Sequence, residues 1–133
     1  MENSENPIQW EVIHTYSRKQ ALEGGTLIDI TDYAQLNGFK IPTAITAGLW
    51  VYIVVSPELA DIGQSIAGRL KDVLFLLLME IRKSAAAVDT DRIRFQVDFL
   101  VAPDRTETVE VLALVGPDDD LKPCLTIGLP EDF

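Results

Sequence analysis

The sequence predicts an α+β domain in which one long buried helix packs on a C-terminal antiparallel sheet, with short helices before it. Apolar residues between positions 62 and 81 recur every three or four residues, which is the period of a helix face. After position 92 they alternate with polar residues, the period of a half-buried strand. The predicted sheet has three strands, or four if an early run joins it. With 133 residues, 47% of them apolar, we expect one domain over residues 1–133, with residues 1–7 as a flexible lead.

The segments before the long helix are predicted to be short. Helices are expected at residues 18–23 and 32–37, each followed by a glycine that can take the left-handed conformation at a helix end. Thr31 is expected to cap the second of them. Residues 8–12 give a weak strand signal, and residues 26–30 predict a strand or an extended link.

Residues 39–55 are ambiguous. From Ile41 onward apolar residues recur every fourth position, which favours a helix, whereas residues 50–55 have the composition of a buried strand. We predict a helix, because the four-residue spacing extends back beyond the β-branched run. Ser56 followed by Pro57 then marks a new helix start.

The long helix is expected to begin near Ser65, since Gly63 and Gly68 weaken the turns before it. It is apolar almost all round between residues 73 and 79, which is typical of a helix that other elements cover. Three strands follow it, joined by a hairpin and an exposed turn. The predicted ranges are strands at 92–101, 108–115 and 123–129, the hairpin at 102–107 and the turn at 116–120.

The end of the chain has a distinct pattern. Pro130 is expected to end the last strand, because proline has no N–H to donate. Phe133 is expected to fold back as an anchor or to meet a partner. The inward face of the last strand is predicted to be Leu125, Ile127 and Leu129, with Glu131 and Asp132 in water.

The charge is strongly acidic, with a formal net charge of −10 from 21 acids and 11 bases. From Asp98 to Phe133 there are nine acids and two bases. This disfavours direct nucleic-acid binding, since phosphate contacts need Lys or Arg, and it favours a basic protein partner. The alternative is that the charge only keeps the protein soluble. The predicted partner-binding residues are Asp104, Glu107, Glu110, Asp118, Asp119, Asp120, Glu131 and Asp132.

Few residues suggest catalysis. His14 is the single histidine and makes neither a catalytic relay nor a zinc site alone. Cys124 lies in an apolar strand and is expected to be a small buried hydrophobe. Asp118–Asp120 lacks the alternating spacing of a calcium loop, and Gly24-Gly25 is not followed by the residues of a phosphate loop. We therefore predict a non-enzymatic protein with no cofactor and no metal.

Two alternatives remain open. One is an enzyme or small-molecule-binding domain with its site between the long helix and the sheet. Its residues would be drawn from Tyr16, Arg18, Asp29, Arg69 and Asp72, although Arg69 and Asp72 are three apart and by default pair with each other. The other is a self-associating structural module, motivated by the apolar runs 50–55 and 75–79.

The sequence also predicts the compartment. The apolar runs 49–55 and 73–79 are too short to span a bilayer, and the polar start MENSENPIQW lacks the pattern of a secretory signal. A single cysteine fits a reducing environment. We expect a soluble, cytoplasmic protein.

Four stretches resemble, in order, an uncharacterised family of small acidic proteins carried on plasmids, phages and other mobile elements. They are "HTYSRKQALEGGTLIDIT" (14–31), "GFKIPTAIT…LW" (38–50), "GRLKDVL" (68–74) and "LTIGLPEDF" (125–133). Residues 51–55 are more apolar than that pattern, and Gly128 replaces a bulkier residue. The resemblance implies no catalytic residues. It implies a mobile-element setting, where such proteins often inhibit or shield against host machinery, with a DNA-mimicking anti-defence factor as the narrower hypothesis.

Overall fold

The computed structural model describes residues 18–83 and 91–133. Residues 18–24 form a helix, α1, close to the predicted range. The elements that follow are β1 (Leu27–Asp29), α2 (Thr31–Leu36), β2 (Thr43–Thr46), α3 (Ala47–Ile53), α4 (Pro57–Asp61), α5 (Ile66–Lys83), β3 (Arg92–Ala102), β4 (Arg105–Pro117), β5 (Pro123–Gly128) and a terminal 3-10 turn (Pro130–Asp132).

The fold is α+β, as predicted, but the sheet is larger than the three or four strands expected. Within the described residues it has five strands in the order β1-β2-β5-β4-β3. The predicted C-terminal meander is present as β3, β4 and β5, which pair antiparallel. β2 joins it by pairing in parallel with β5, where Thr43 lies opposite Leu125, and β1 adds antiparallel to β2. The sheet is therefore mixed, and the long helix lies in mid-chain.

The helix predicted for residues 39–55 is wrong over its first half. Thr43–Thr46 is the strand β2, and all four of its residues are buried. A strand covered on both faces shows no alternation, so its apolar residues match a helical spacing equally well. The helix α3 begins only at Ala47, where Thr46 acts as N-cap and its hydroxyl accepts a hydrogen bond from the Leu49 N–H at 3.2 Å.

The two helices after α3 follow the predicted signals. The Ser56 hydroxyl accepts a hydrogen bond from the Leu59 N–H, and Pro57 lies in the first turn of α4. Gly63 has φ +97°, which ends that helix, and α5 then begins at Ile66. The long helix and its start near Ser65 are thus confirmed, and α4 is a separate short helix.

The early helices end as predicted, but the expected cap of α2 is wrong. Gly25 and Gly38 have φ of +86° and +95°, so each follows its helix in the left-handed conformation. Thr31 lies inside the first turn of α2. The Asp29 carboxylate instead accepts hydrogen bonds from the Thr31 N–H and hydroxyl, at 2.9 and 2.6 Å. The strand predicted at residues 8–12 lies outside the described residues.

The core lies between the helices and one face of the sheet, here called the inner face. α5 packs against β3 and is contacted by α2 and α3. Four of its side chains are completely buried, and each full burial of such a side chain contributes roughly 1.5–3 kcal/mol. They are Leu70, Val73, Leu74 and Leu77. Leu125 and Ile127 point to this core as predicted, and Leu129 packs at its margin.

The opposite face of the sheet is here called the outer face. In β3 it carries the alternating exposed residues Arg92, Arg94, Gln96 and Asp98. At the β5 end, α1 approaches it, because Arg18 donates a hydrogen bond to Thr126. Over residues 18–83 and 91–133, no helix is long and apolar enough to cross a membrane.

Candidate functional site

The turn between β4 and β5 brings three of the predicted acids together. Asp118 organises this turn: its carboxylate accepts hydrogen bonds from the N–H groups of Asp120 and Lys122, at 2.8 and 2.9 Å. Leu121 has φ +63° and closes the turn. The Lys122 N–H, followed by that of Asp120, holds the pKa of Asp118 below its ordinary value, although partial burial opposes them. Asp118 is therefore a fixed, charged group.

A cleft of about 200 Å³ lies between this turn, α1 and the edge of β1 and β2. Its walls include Asp118, Asp119 and Asp120 from the turn, and Asp29 from β1. Two cations, Arg18 and Lys19 of α1, line it as well. We call this feature the acidic cleft. Four carboxylates against two cations give it an excess of negative charge.

Two of the lining residues are held in place by neighbours. Arg18 donates to Thr126 Oγ1 at 2.6 Å and to the Leu125 carbonyl at 3.4 Å. Asp29 is fixed by its two hydrogen bonds from Thr31. The cleft is therefore built from side chains whose positions the backbone and sheet determine.

Asp119 differs from these residues. Its Oδ1 atom is buried, and no hydrogen-bond donor reaches it in the described parts of the chain. A buried acceptor without a donor raises the free energy of the folded state. In residues 18–83 and 91–133, no group of three or more His, Cys, Asp or Glu side chains is arranged to hold a metal ion.

The other predicted acids lie elsewhere. Asp104 immediately precedes β4 and Asp118 follows it; 13 residues at about 3.3 Å each separate the two by roughly 40 Å. Glu110 forms an ion pair with Arg94 on the outer face, at 3.2 Å. The eight predicted acids thus occupy several separate places.

A second group of acids surrounds Tyr52 of α3. Glu107 accepts a hydrogen bond from the Tyr52 hydroxyl at 3.0 Å. That bond, with smaller contributions from burial and from the charges of Glu107 and Glu131, raises the pKa of Tyr52. Asp132 is exposed, as expected, but it also accepts hydrogen bonds from Thr46 and from the Leu129 N–H.

The described residues of the predicted ligand site do not all come together. Arg18 and Asp29 line the acidic cleft, whereas Arg69 lies on the inner side of the sheet and over the Phe99 ring, 6.0 Å from its centroid. The default pairing of Arg69 with Asp72 is wrong: the guanidinium donates to the carbonyls of Tyr52 and Leu100 and to the Gln64 side chain. Tyr16 and His14 lie outside the described residues.

A larger cleft, of about 470 Å³, opens on the outer face beside α1. Apolar side chains such as Leu27, Leu114 and Phe133 line it together with Thr46 and Arg18. Cys124 is also in its wall, but is only 2% exposed, and burial raises the pKa of its thiol. A thiol of that kind is a poor nucleophile at neutral pH, in agreement with its predicted role as a small hydrophobe.

Sequence reasoning did not group Asp29 with the acidic turn. The two segments are about 90 positions apart, and they meet because β2 pairs in parallel with β5. No local signal in the sequence predicts that pairing, since the residues of β2 match the spacing of a helix.

The structure defines a small α+β protein with an acidic cleft. The chain belongs to a family of unknown function, DUF6573, whose family model matches residues 8–133. No curated protein and no solved structure matches it.

Proposed function

We propose that this chain is a non-enzymatic interaction protein that binds a basic protein partner at the acidic cleft. The observation that carries the proposal is the excess of negative charge in the acidic cleft, where Asp29, Asp118, Asp119 and Asp120 face two cations. A lysine or arginine side chain of a partner would donate hydrogen bonds to the carboxylates of this cleft, of which Asp120 is exposed. A hydrogen bond between charged groups is about twice as strong as one between neutral groups.

The charge of the cleft supports this choice of partner. The pKa of Asp118 is lowered, so the carboxylate keeps its charge to below its ordinary titration range. Arg18 donates its hydrogen bonds to neutral groups of Thr126 and Leu125, and its charge, with that of Lys19, offsets only two of the four carboxylates. A phosphate group would meet net repulsion here, so a nucleic acid is a poor partner.

A mobile-element protein that acts on a basic host protein is the more specific form of the proposal. It rests on the sequence resemblance and on the acidic charge. A DNA mimic would need a continuous row of acids, since duplex DNA carries one charge per about 1.7 Å of its axis. The acids here are dispersed along β4, and Glu110 is paired with Arg94. This arrangement favours a local contact at the acidic cleft over mimicry of a duplex.

Small-molecule binding is a second candidate function, and the outer-face cleft favours it. Its volume of about 470 Å³ is within the usual range for ligand sites, and it combines apolar walls with a few polar groups. The location differs from the one expected, because the buried side chains of α5, the long helix, fill the space between that helix and the sheet.

The test of the proposed function is a pair of matched variants. Asp119→Asn with Asp120→Asn removes two charges from the acidic cleft. Asp61→Asn with Asp72→Asn removes two charges from exposed positions on α4 and α5. Binding of a labelled oligolysine peptide is measured by fluorescence anisotropy at several salt concentrations, followed by capture of host proteins with the same variants.

We expect the cleft variant to bind the peptide at least about tenfold more weakly, and the control to change binding by less than about threefold. Host proteins captured by the wild type and control but not by the cleft variant would support the proposal. Equal losses in the two variants would show that only the net charge matters and would overturn the assignment to this cleft.

A further inference from the structure

The pairing of β3 with β4 determines which backbone groups of β3 point to its outer edge. β3 is the last strand of the sheet within the described residues. The Val115 N–H donates to the Asp91 carbonyl at 2.8 Å, so this pair is hydrogen-bonded across the β3–β4 ladder. Hydrogen-bonded and non-hydrogen-bonded pairs alternate in antiparallel strands. The N–H and C=O groups of the even-numbered residues of β3 therefore point away from β4.

A contact of Leu100 agrees with this direction of the even-numbered groups. Leu100 is even-numbered, and its carbonyl accepts a hydrogen bond from Arg69 rather than from β4. The outward groups that no described residue pairs are therefore those of Arg92, Arg94, Gln96 and Asp98. They form a seven-residue run, 92–98, which ends where Arg69 occupies the edge.

We propose that this run pairs with the same run of a second copy of the chain, antiparallel about a two-fold axis at Phe95. In this register Arg92 of one copy lies opposite Asp98 of the other, and the contact occurs twice because the interface is isologous. Arg94 lies opposite Gln96. Side chains directly opposite each other in an antiparallel pair have Cβ atoms about 4.5–5.5 Å apart, within reach of an ion pair between Arg92 and Asp98.

Neighbouring registers fit less well. The outward-pointing backbone groups of one copy can form hydrogen bonds only with the outward-pointing groups of the other. The two-fold axis can therefore lie only at a residue and not between two residues, so it moves along the strand in single-residue steps. An axis at Arg94 would place two arginines opposite each other, which is repulsive. An axis at Gln96 would require the Leu100 carbonyl that Arg69 already occupies. The axis at Phe95 uses the whole open run and pairs opposite charges.

The charge pattern also gives the edge its selectivity. Charged side chains on an edge strand usually prevent association with other strands. Here two antiparallel copies of the edge are complementary. Arg92 faces Asp98 at each end, and Arg94 faces Gln96 between them. The edge of a protein without this order would leave Arg92 and Asp98 without opposite charges across the interface, so a second copy is the partner that fits.

The test is sedimentation velocity of the full chain at micromolar concentrations, with three charge variants. Arg92→Asp and Asp98→Arg each place like charges across the axis and should weaken the dimer about tenfold or more. The double variant restores opposite charges and should recover the wild-type dissociation constant to within about threefold. Lys71→Asp, on the exposed side of α5, makes the same charge change as Arg92→Asp and should leave the dimer unchanged.

A backbone variant tests the same interface without charge. Gln96→Pro removes an outward N–H, but leaves the hydrogen bonds between β3 and β4 intact. It should abolish the dimer while circular dichroism and thermal unfolding still show a folded monomer. A wild-type chain that stays monomeric at every concentration would overturn the proposal. So would a dimer that Arg92→Asp and Gln96→Pro leave unaffected.

Discussion

Thr46 and Asp132 join the end of the chain to the start of α3. The Thr46 hydroxyl donates to Asp132 Oδ2 at 2.6 Å and accepts a hydrogen bond from the Leu49 N–H at 3.2 Å. The same carboxylate oxygen accepts from the Leu129 N–H at 2.9 Å. The terminal turn is therefore attached to the N-terminus of a helix, where a negative charge is favourable.

The first prediction concerns this contact. Thr46→Ala removes the helix cap and the hydrogen bond to Asp132, so we expect the free energy of unfolding to fall by about 1–2 kcal/mol. Thr46→Ser keeps the hydroxyl and should lose less than half of that. Urea denaturation of these variants, of Asp132→Ala and of the Thr46→Ala/Asp132→Ala double variant gives the coupling between the two residues. We expect a coupling energy between Thr46 and Asp132 of about 0.5–1.5 kcal/mol. Strictly additive effects of the two substitutions would mean that the hydrogen bond does not stabilise the fold.

The second prediction concerns Gly128, the last residue of β5. A Cβ at this position would overlap the Thr46 side chain, with Oγ1 only 2.6 Å away. Because Thr46 is held in β2, we expect Gly128→Ala to destabilise the protein by about 1–3 kcal/mol. Gly116→Ala is the matched control, since it lies opposite Cys124 in the same sheet and its Cβ would meet open space. If the two alanine variants have equal stability, the close approach to Thr46 is not what requires glycine.

The third prediction concerns Arg69, which is only 6% exposed. It connects α5 to the end of α3 and to β3, through the carbonyls of Tyr52 and Leu100. Arg69→Met keeps much of the volume but leaves both carbonyls without this donor, so we expect a loss of roughly 2–4 kcal/mol. Arg69→Lys keeps one donor group and should be intermediate. Thermal and urea unfolding measure the effect. The control, Lys71→Ala at an exposed position, should change the free energy of unfolding by less than about 0.5 kcal/mol. An Arg69→Met variant as stable as the wild type would contradict the role assigned to these hydrogen bonds.

Much of the fold could be predicted from local patterns. α5 and β3 have clear periods, because each buries one face and exposes the other. The helix ends at Gly25 and Gly38 follow from the conformational freedom of glycine, which is also a local property.

The missed features depend on contacts between distant segments. β2 is buried on both faces, so it has no alternation to show, and its pairing with β5 brings Asp29 to the acidic turn. Helical spacing predicts that Arg69 pairs with Asp72, because spacing reveals only partners on the same helix. Its acceptors are backbone carbonyls, and any residue type can supply those. That Asp119 Oδ1 has no donor among the described residues depends on the conformation of its turn, which no local pattern in the sequence reveals.

The last prediction concerns the ionisation of Tyr52. Its hydroxyl donates to Glu107, and this bond, with burial and the charges of Glu107 and Glu131, raises its pKa above the ordinary value of 10.0. The folded state then holds the proton more tightly than the unfolded state. The resulting stabilisation is complete below pH 10 and is lost as the pH rises through the pKa of the folded protein. Ultraviolet titration of the phenolate, with Tyr52→Phe to identify its signal, should show a pKa that Glu107→Gln moves back toward 10, since the glutamine has no charge. Unchanged titration in Glu107→Gln would show that Glu107 does not control this group.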